Sequence, residues 1–181
     1  MAAPLDPACL FATLADHGVD YVLIGGLAAV LHGSTAMTND ADIVPEPSPA
    51  NLERLAAALR ALDARLRVPE TPDGVPFDPH PALLGSMRTL NLTTRCGDLD
   101  LAAEPDGIDD RAGFVERAVL YDIAGQRVRV AALVVRRVRV AALADIIRSK
   151  EAAGRPKDHA TLPILRALED EIARRDQEGR R

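Results

Sequence analysis

The amino-acid sequence predicts an α/β (α+β) protein in which short strands alternate with helices and further helices follow in the C-terminal part. Residues 20–24 and 40–44 are short β-prone runs bounded by glycine or proline, as is typical of strands in a sheet. Residues 50–66 and 142–153 have the composition and apolar spacing of helices. This alternation of element types is the basis of the predicted fold class.

Length, composition and charge fit an ordinary globular protein. Apolar residues make up 48% of the chain and charged residues 27%. The 181 residues suit a single domain (1–181), which we divide into a core at about 15–140 and a C-terminal helical part at about 141–176. A net charge of −5 argues against a general nucleic-acid binder that depends on attraction to phosphates.

The cysteines and the apolar segments bear on the compartment. The two cysteines, Cys9 and Cys96, do not make a disulfide framework and fall in no metal-ligand spacing. This usage fits a reducing compartment. The longest apolar stretch, residues 21–31, is too short to span a bilayer and contains Gly25-Gly26. We therefore expect a cytoplasmic protein without membrane association.

Capping residues and helix breakers divide the first third of the chain. Asp6-Pro7 and Ser48-Pro49 each place a capping residue before a proline at the first helical position. Gly18 and Gly33 stand where helices are expected to end, and Pro45 ends a strand. The expected elements are a helix at 8–17, a strand at 20–24, a short helix at 27–32, a strand at 40–44 and a helix at 50–66.

The remainder of the chain contains a loop, a hairpin and the C-terminal helices. Five prolines between residues 69 and 81 predict a loop that could lie over a site or supply a pocket. The tripeptide Arg95-Cys96-Gly97 separates two alternating segments, which predicts a hairpin. The expected elements are strands at 87–94 and 98–103, one or two strands in 126–140, and helices at 142–153 and 157–175, while 114–123 fits either a helix or a strand.

Gly25 and Gly26 stand at a predicted strand-to-helix turn. Glycine allows tight backbone geometry and lets a phosphate approach main-chain N–H groups at a helix start. Ser34 and Thr38 add hydroxyl groups nearby. These residues are therefore candidates for nucleotide binding, although a Gly-Gly pair can also serve only as a turn.

Asp40 and Asp42 are candidate metal ligands. On a strand, residues i and i+2 point to the same face, so both carboxylates lie on one side. Two neighbouring carboxylates repel each other unless a cation neutralises them, and Mg²⁺ prefers such oxygen ligands. The alternative is a solvated strand end.

Asp98 and Asp100 repeat this pattern, with acids on one face and leucines on the other. If the two strands are neighbours, Asp100 can join Asp40 and Asp42 around the metal. We choose Asp100 because it lies deeper in its strand, whereas Asp98 follows Gly97 and could be only a turn residue. Three carboxylates around a metal would support displacement at a triphosphate.

Basic residues in the last third of the chain could balance the remaining charge of a triphosphate. Lys150, Arg155 and Lys157 are the candidates, and Asp158 is adjacent to the last of them. The alternative is ordinary helix-surface charge. Arginines at 127, 129, 136, 137 and 139 could line a substrate groove or form a solvated strand face.

Two segments carry a resemblance to a known family. Residues 21–34 and 38–44 contain an apolar run, Gly25-Gly26, a 13-residue spacer and the Asp40-Ala41-Asp42 motif. This order resembles the opening motif of the nucleotidyltransferase superfamily, the DNA polymerase β-like fold. Residues 138–158, which end in Gly154-Arg-Pro-Lys-Asp, are similar to the second half of its AbiEii-type toxin (MNT-like) branch.

The resemblance implies a mixed β-sheet flanked by helices and an enzyme that uses Mg²⁺ (or Mn²⁺). Such an enzyme transfers a nucleoside monophosphate from a nucleoside triphosphate, such as ATP, to a hydroxyl group. In the toxin branch the acceptor can be tRNA and the partner a cognate antitoxin; other branches modify proteins or small antibiotics. By motif, phosphate would contact Gly25 and Gly26, metal would be bound by Asp40, Asp42 and Asp100, and nucleotide or acceptor would contact Lys150, Lys157 and Asp158.

Two departures from the family pattern define the alternatives. Ala36 replaces an arginine that many relatives carry, and Thr161 replaces a second late aspartate. A chain without the arginine could be a non-catalytic member that binds nucleotide or a partner protein in a toxin–antitoxin-like module. A third alternative is a transferase that modifies a small antibiotic.

Overall fold

The computed structural model describes residues 3–35, 37–122 and 137–178. Within these ranges the helices and strands alternate along the first two thirds of the chain, and none of the helices is both long enough and apolar enough for a membrane span. The elements, in chain order, are α1 (Pro7–Asp16), β1 (Tyr21–Ile24), α2 (Gly25–Leu31), β2 (Asp40–Pro45), α3 (Pro49–Ala61), β3 (Arg65–Val68), β4 (Thr71–Pro76), α4 (Pro81–Ser86), β5 (Thr89–Thr94), β6 (Gly97–Ala102), α5 (Arg111–Arg117), β7 (Val119–Asp122), β8 (Arg137–Val140), α6 (Leu143–Ala153) and α7 (Pro156–Glu178).

The described strands form one mixed sheet in the order β4-β3-β5-β6-β2-β1-β8-β7. Strands β2 and β6 run parallel, as do β1 and β8, and the other neighbours are antiparallel. Parallel neighbours need a long connection. The β2–β6 pair therefore brings together two segments that the chain separates by two helices, α3 and α4, and three strands, β3, β4 and β5.

A large part of the core lies against one face of this sheet. Alternate residues of the central strands point to that face, and they include Leu23, Ile43 and Leu99, which are completely buried. Helix α3 contacts both α1 and β2, which places its buried leucines over these strands. The opposite face carries the polar residues of β2 and β6.

Several sequence expectations are confirmed with small shifts of their ends. The predicted first strands correspond to β1 and β2, the predicted hairpin corresponds to β5 and β6, and the last two predicted helices correspond to α6 and α7. The ambiguous segment 114–123 contains the end of α5 and then β7. Of the segment 126–140, residues 126–136 lie outside the described residues, and the remainder forms β8.

The predicted helix at 50–66 is too long, because α3 ends at Ala61. Asp63 adopts a left-handed conformation with φ of 49°, which an aspartate tolerates better than most residues. The alternating residues Arg65–Val68 then form β3 and pair with β5. Pairing with a distant strand thus prevails over the helical pattern of the last five residues.

The predicted loop at 69–81 is wrong as well. Residues Thr71–Pro76 form β4, which pairs with β3 and lies at one edge of the sheet. Prolines are compatible with an edge strand, because a strand at the edge has one side without a ladder partner. Pro81 begins α4 at the position that favours proline.

The structure joins Cys9 and Cys96 by a disulfide bond, contrary to the expectation of reduced cysteines that form no disulfide framework. The bond connects α1 to the β5–β6 turn, with Cα atoms 5.8 Å apart. The same turn receives a backbone hydrogen bond from Asp6 N to the Cys96 carbonyl (2.9 Å). The N-terminal segment is therefore attached to the hairpin whose second strand is β6.

Candidate active site

Four aspartates lie side by side on the polar face of the sheet. Strands β2 and β6 pair in a register that sets Asp40 opposite Asp98 and Asp42 opposite Asp100. Because side chains alternate along a strand, all four carboxylates project from one face. The intervening residues are buried in the core on the other face; they are Ala41, Ile43, Leu99 and Leu101.

Three of these aspartates form a cluster that could hold a metal ion. One carboxylate oxygen from each of Asp40, Asp42 and Asp100 lies within 4.8 Å of the other two. All three residues are partly buried, so water screens their mutual repulsion only in part. A hard divalent cation such as Mg²⁺ takes oxygen ligands of this kind, and the donor set therefore fits it.

The electrostatics of Asp42 reflect its burial beside two other carboxylates. Burial raises its pKa to about 7, and the neighbouring charges of Asp40 and Asp100 add to this effect. Lys157 and Lys150 act in the opposite direction. Burial also raises the pKa of Asp100, against the opposing effect of Arg67. A bound divalent ion would favour the ionised form of each carboxylate.

Thr38 fixes the orientation of Asp40. Its hydroxyl donates a hydrogen bond to Asp40 Oδ1 at 2.7 Å. Thr38 can approach because residue 26 is glycine: a Cβ atom at Gly26 would lie 2.6 Å from the Thr38 hydroxyl oxygen. The lack of a side chain at Gly26 therefore makes room for the threonine that holds one of the three clustered carboxylates.

Gly25 makes room for Asp42 in the same way. Its φ of +69° lies in the left-handed region, and a Cβ atom there would lie 1.9 Å from Asp42 Oδ2. Gly25 begins α2, and no described side chain caps the start of that helix. The contact with phosphate that the sequence suggests for Gly25 and Gly26 stays a prediction.

We expect Gly25→Ala to reduce metal binding strongly, because the added methyl group would displace the Asp42 carboxylate. The matched control is Gly33→Ala. Gly33 also has a positive φ (+102°), but the nearest atom to its added Cβ, a methyl carbon of Leu168, lies 3.6 Å away. Both variants carry the left-handed backbone cost of about 1–2 kcal/mol. Isothermal titration with Mn²⁺ should show weakened binding only for Gly25→Ala; equal affinities would contradict the role of Gly25.

A lysine–aspartate pair lines the same cavity as the carboxylates. Lys150 Nζ, on α6, contacts Asp158 Oδ1, on α7, at 3.0 Å. Both side chains are largely buried, with 17% and 5% of their surface exposed. The second oxygen, Asp158 Oδ2, is buried; it lies 4.0 Å from Arg155 Nε and has no hydrogen-bond partner among the described residues. Lys157 is exposed at the surface of the cavity.

All the candidate site residues predicted from the sequence line one cavity of about 600 Å³. They come from the start of α2, the segment between α2 and β2, the strands β2 and β6, and the helices α6 and α7; they are Gly25, Gly26, Ser34, Thr38, Asp40, Asp42, Asp100, Lys150, Lys157 and Asp158. The structure thus brings together residues that lie up to 133 positions apart in the sequence. Their roles in binding and catalysis stay predictions.

The structure describes only one of the two residues that depart from the family pattern. Ala36 lies outside the described residues. Thr161 lines the cavity, and its hydroxyl donates hydrogen bonds to the carbonyl oxygens of Lys157 (3.3 Å) and Asp158 (3.1 Å). None of the residues 69–81 lines this cavity, so the Pro-rich segment does not supply its wall.

Arg67 is the main residue of this region that the sequence did not identify. Its guanidinium contacts both Asp98 and Asp100. The alternation of Arg65–Val68 could have indicated a strand, but nothing local indicates its pairing partner. Asp98 is more than a turn residue, because it lies within β6 and forms an ion pair with Arg67.

Only part of the arginine-rich segment lies among the described residues, so only part of its prediction can be compared with the structure. Arginines 127, 129 and 136 lie outside the described residues, and the side chain of residue 137 is not described either. Arg139 forms an ion pair with Asp20 at 3.2 Å, and both side chains are substantially exposed. For Arg139 this contact agrees with the solvated strand face.

Comparison with known proteins adds one finding about the fold. No protein-family model matches the chain, and no curated protein matches it. Among solved structures, the chain is similar to a crystal structure of the lincosamide antibiotic adenylyltransferase LnuA with lincomycin bound. The sequences are 14% identical, the match covers 92% of this chain and 99% of that chain, and the TM-score is 0.50. Together with the mixed sheet and its flanking helices, this likeness shows that the chain has a nucleotidyltransferase fold.

Proposed function

We propose that the protein is a nucleotidyltransferase that uses Mg²⁺ (or Mn²⁺) to transfer a nucleoside monophosphate from a nucleoside triphosphate to a hydroxyl group. The observation that carries this proposal is the carboxylate cluster of Asp40, Asp42 and Asp100, within 4.8 Å on two neighbouring strands. The cluster lines a cavity that is also lined by Lys150 and Lys157. The nucleotidyltransferase fold supports the same reaction.

Each group of residues has a defined task in this reaction. Asp40, Asp42 and Asp100 would hold the metal ion, which when bound offsets the charge of the triphosphate and lowers the pKa of an attacking hydroxyl. Lys150 and Lys157 supply positive charge in the cavity that the carboxylates line, where the remaining phosphate charge would lie. The acceptor oxygen forms a bond to the α-phosphorus, the α–β phosphoanhydride bond breaks, and pyrophosphate leaves. The hydroxyl proton passes to a carboxylate of the cluster.

The acceptor could be a small molecule, tRNA or a protein. A cavity of about 600 Å³ is of the size that holds small ligands, and the LnuA structure contains a bound antibiotic. We therefore favour a small hydroxyl-bearing molecule as the acceptor. A tRNA or protein acceptor, with a cognate antitoxin as partner, is the alternative that follows from the AbiEii-type resemblance.

Labelled nucleotides test the proposal. The protein is incubated with Mg²⁺, each of the four α-labelled nucleoside triphosphates in turn, and three acceptor pools: total tRNA, cell protein and a panel of hydroxyl-bearing antibiotics. We expect transfer of label to one pool. Resistance to an antibiotic on expression, without growth arrest, would support the small-molecule acceptor, whereas growth arrest with labelled tRNA would support the toxin alternative. No transfer in any combination would contradict the function.

We expect Lys150→Met to raise the KM for the nucleoside triphosphate by roughly tenfold or more, because the variant removes a positive charge from the cavity wall. The matched control is Arg166→Met. Arg166 also joins α7 to α6, through Glu151, but its side chain is 62% exposed. Steady-state kinetics should show an unchanged KM for the control. A KM within twofold of wild type for Lys150→Met would contradict the role of Lys150.

A further inference from the structure

We propose that Arg67 is a positioning residue of the active site, which orients Asp100 toward the metal and limits how tightly the metal binds. This inference rests on the proposed function. Arg67 lies on β3, two strands away from β6, and it reaches past β5 to the acidic face of the sheet. It is not one of the metal-ligand candidates, and its effect on the reaction would be exerted through Asp98 and Asp100.

The contacts of Arg67 are close and involve both aspartates of β6. Nη1 lies 2.6 Å from Asp98 Oδ2, and Nη2 lies 2.6 and 2.8 Å from the two oxygens of Asp100. The side chains of Arg67, Asp98 and Asp100 are 32%, 23% and 22% exposed, so all three are partly buried. A planar guanidinium with several fixed donors restrains two carboxylates at once, which a lysine ammonium cannot do.

Among the described residues, no other side chain donates a hydrogen bond to either aspartate. Within the part of the chain that the structure describes, the recorded hydrogen bonds to the carboxylates of Asp98 and Asp100 all come from Arg67. The remaining oxygen of Asp98, Oδ1, is buried and has no hydrogen-bond partner among the residues that the structure describes. The orientation of both carboxylates therefore depends on Arg67.

The position of Arg67 divides the four aspartates into two pairs. Asp98 and Asp100 have a protein cation beside them, whereas Asp40 accepts from the Thr38 hydroxyl and Asp42 lies against Gly25. Asp100 belongs to both the ion pair with Arg67 and the metal cluster. A metal ion and Arg67 would therefore act on the same carboxylate, that of Asp100. The positive charge of Arg67 would oppose metal binding, whereas its hydrogen bonds would fix the orientation of Asp100.

This arrangement predicts opposite effects on binding and catalysis. Removing Arg67 deletes a positive charge beside the cluster, so a divalent cation should bind roughly tenfold tighter. Asp100 would then lose its fixed orientation, so kcat should fall by roughly a hundredfold, because a small misplacement of a catalytic group has effects of this size. A residue that only stabilised the fold would weaken both.

The test uses the full chain as wild type, Arg67→Ala, Arg67→Lys and Arg65→Ala. Arg65 is the matched control, because it lies on the same strand and side and contacts the Asp73 carbonyl outside the cavity. Mn²⁺ affinity is measured by electron paramagnetic resonance without nucleotide, and kcat and KM are measured with the best acceptor. We expect Arg67→Ala to bind Mn²⁺ roughly tenfold tighter with a lower kcat, and Arg65→Ala to match wild type.

Arg67→Lys keeps the charge and loses the planar fork. It should therefore restore wild-type Mn²⁺ affinity without restoring kcat, and it decides the question if Arg67→Ala does not fold. Mn²⁺ affinity equal to or weaker than wild type in Arg67→Ala, or wild-type kcat in Arg67→Lys, would overturn the inference. If the wild type transfers no nucleotide, the proposed function fails, whereas the Mn²⁺ comparison still supports or overturns the control of metal binding by Arg67.

Discussion

Asp40→Asn and Asp42→Asn are each expected to reduce nucleotidyl transfer by about a thousandfold, equivalent to about 4 kcal/mol of transition-state stabilisation. Asparagine keeps the size of aspartate but removes the negative charge that a divalent cation requires. Asp42 lies against Gly25 and Asp40 accepts a hydrogen bond from the Thr38 hydroxyl, so each substitution changes the charge at a closely surrounded position. Single-turnover transfer of labelled nucleotide measures the effect directly.

The control for these variants is Asp78→Asn. Asp78 forms an ion pair with Arg60 at 2.9 Å, but it is 73% exposed and lies outside the cavity. An exposed pair of this kind contributes about 0–1 kcal/mol to stability, so transfer by Asp78→Asn should match wild type. Activity within tenfold of wild type in both cluster variants would remove the metal-assisted mechanism from consideration.

The second large expected effect is the pH dependence of the free energy of unfolding when no metal is bound. The pKa of Asp42 is about 7 in the folded protein, against an ordinary value of 3.8. Between these values the folded state holds a proton that the unfolded state has released. Protonated Asp42 is therefore compatible with burial, whereas ionised Asp42 destabilises the folded state. The stability that protonation provides is fully present below about pH 4 and is lost as the pH rises through 7. Above pH 7, ionised Asp42 should therefore lower the free energy of unfolding by about 2–4 kcal/mol.

Asp42→Asn removes this titration. In the presence of EDTA the variant should be more stable than wild type at pH 8 and should show less loss of stability between pH 4.5 and pH 8. Added Mg²⁺ or Mn²⁺ should stabilise the wild type at pH 8 more than at pH 6, because ionised carboxylates bind the metal, and should have little effect on the variant. Urea denaturation at pH 4.5, 6 and 8 measures these differences. Identical pH dependence for the two proteins would contradict the raised pKa of Asp42.

The parts of the fold that the sequence predicted are those with strong local patterns. The alternation of acids with apolar residues in 40–43 and 98–101 requires two strands with one polar and one buried face, and the structure has both. The capping residues Asp6 and Ser48 accept hydrogen bonds from the first turns of their helices. For such features the local sequence and the final fold agree, as expected for a foldable chain.

The features that the sequence did not predict depend on distant pairings. Arg65 and Leu66, the first two residues of β3, fall within the predicted helix because their partner strand, β5, lies far along the chain. The contact of Arg67 with Asp100 depends on the same distant pairing and has no local signal. The disulfide joins residues 87 positions apart. The proline-rich segment reads as a loop because edge strands and loops tolerate proline equally well. Long-range pairing leaves little trace in a single sequence.

The register between β2 and β6 has a consequence for folding errors. If β6 paired one residue out of place, Asp98 and Asp100 would turn toward the apolar interior and Leu99 and Leu101 would turn toward water. Exposing two leucines costs about 2 kcal/mol each, and enclosing two unpaired carboxylates costs several more. The alternation that supplies ligands on one side therefore also protects this part of the sheet from misaligned strand pairing.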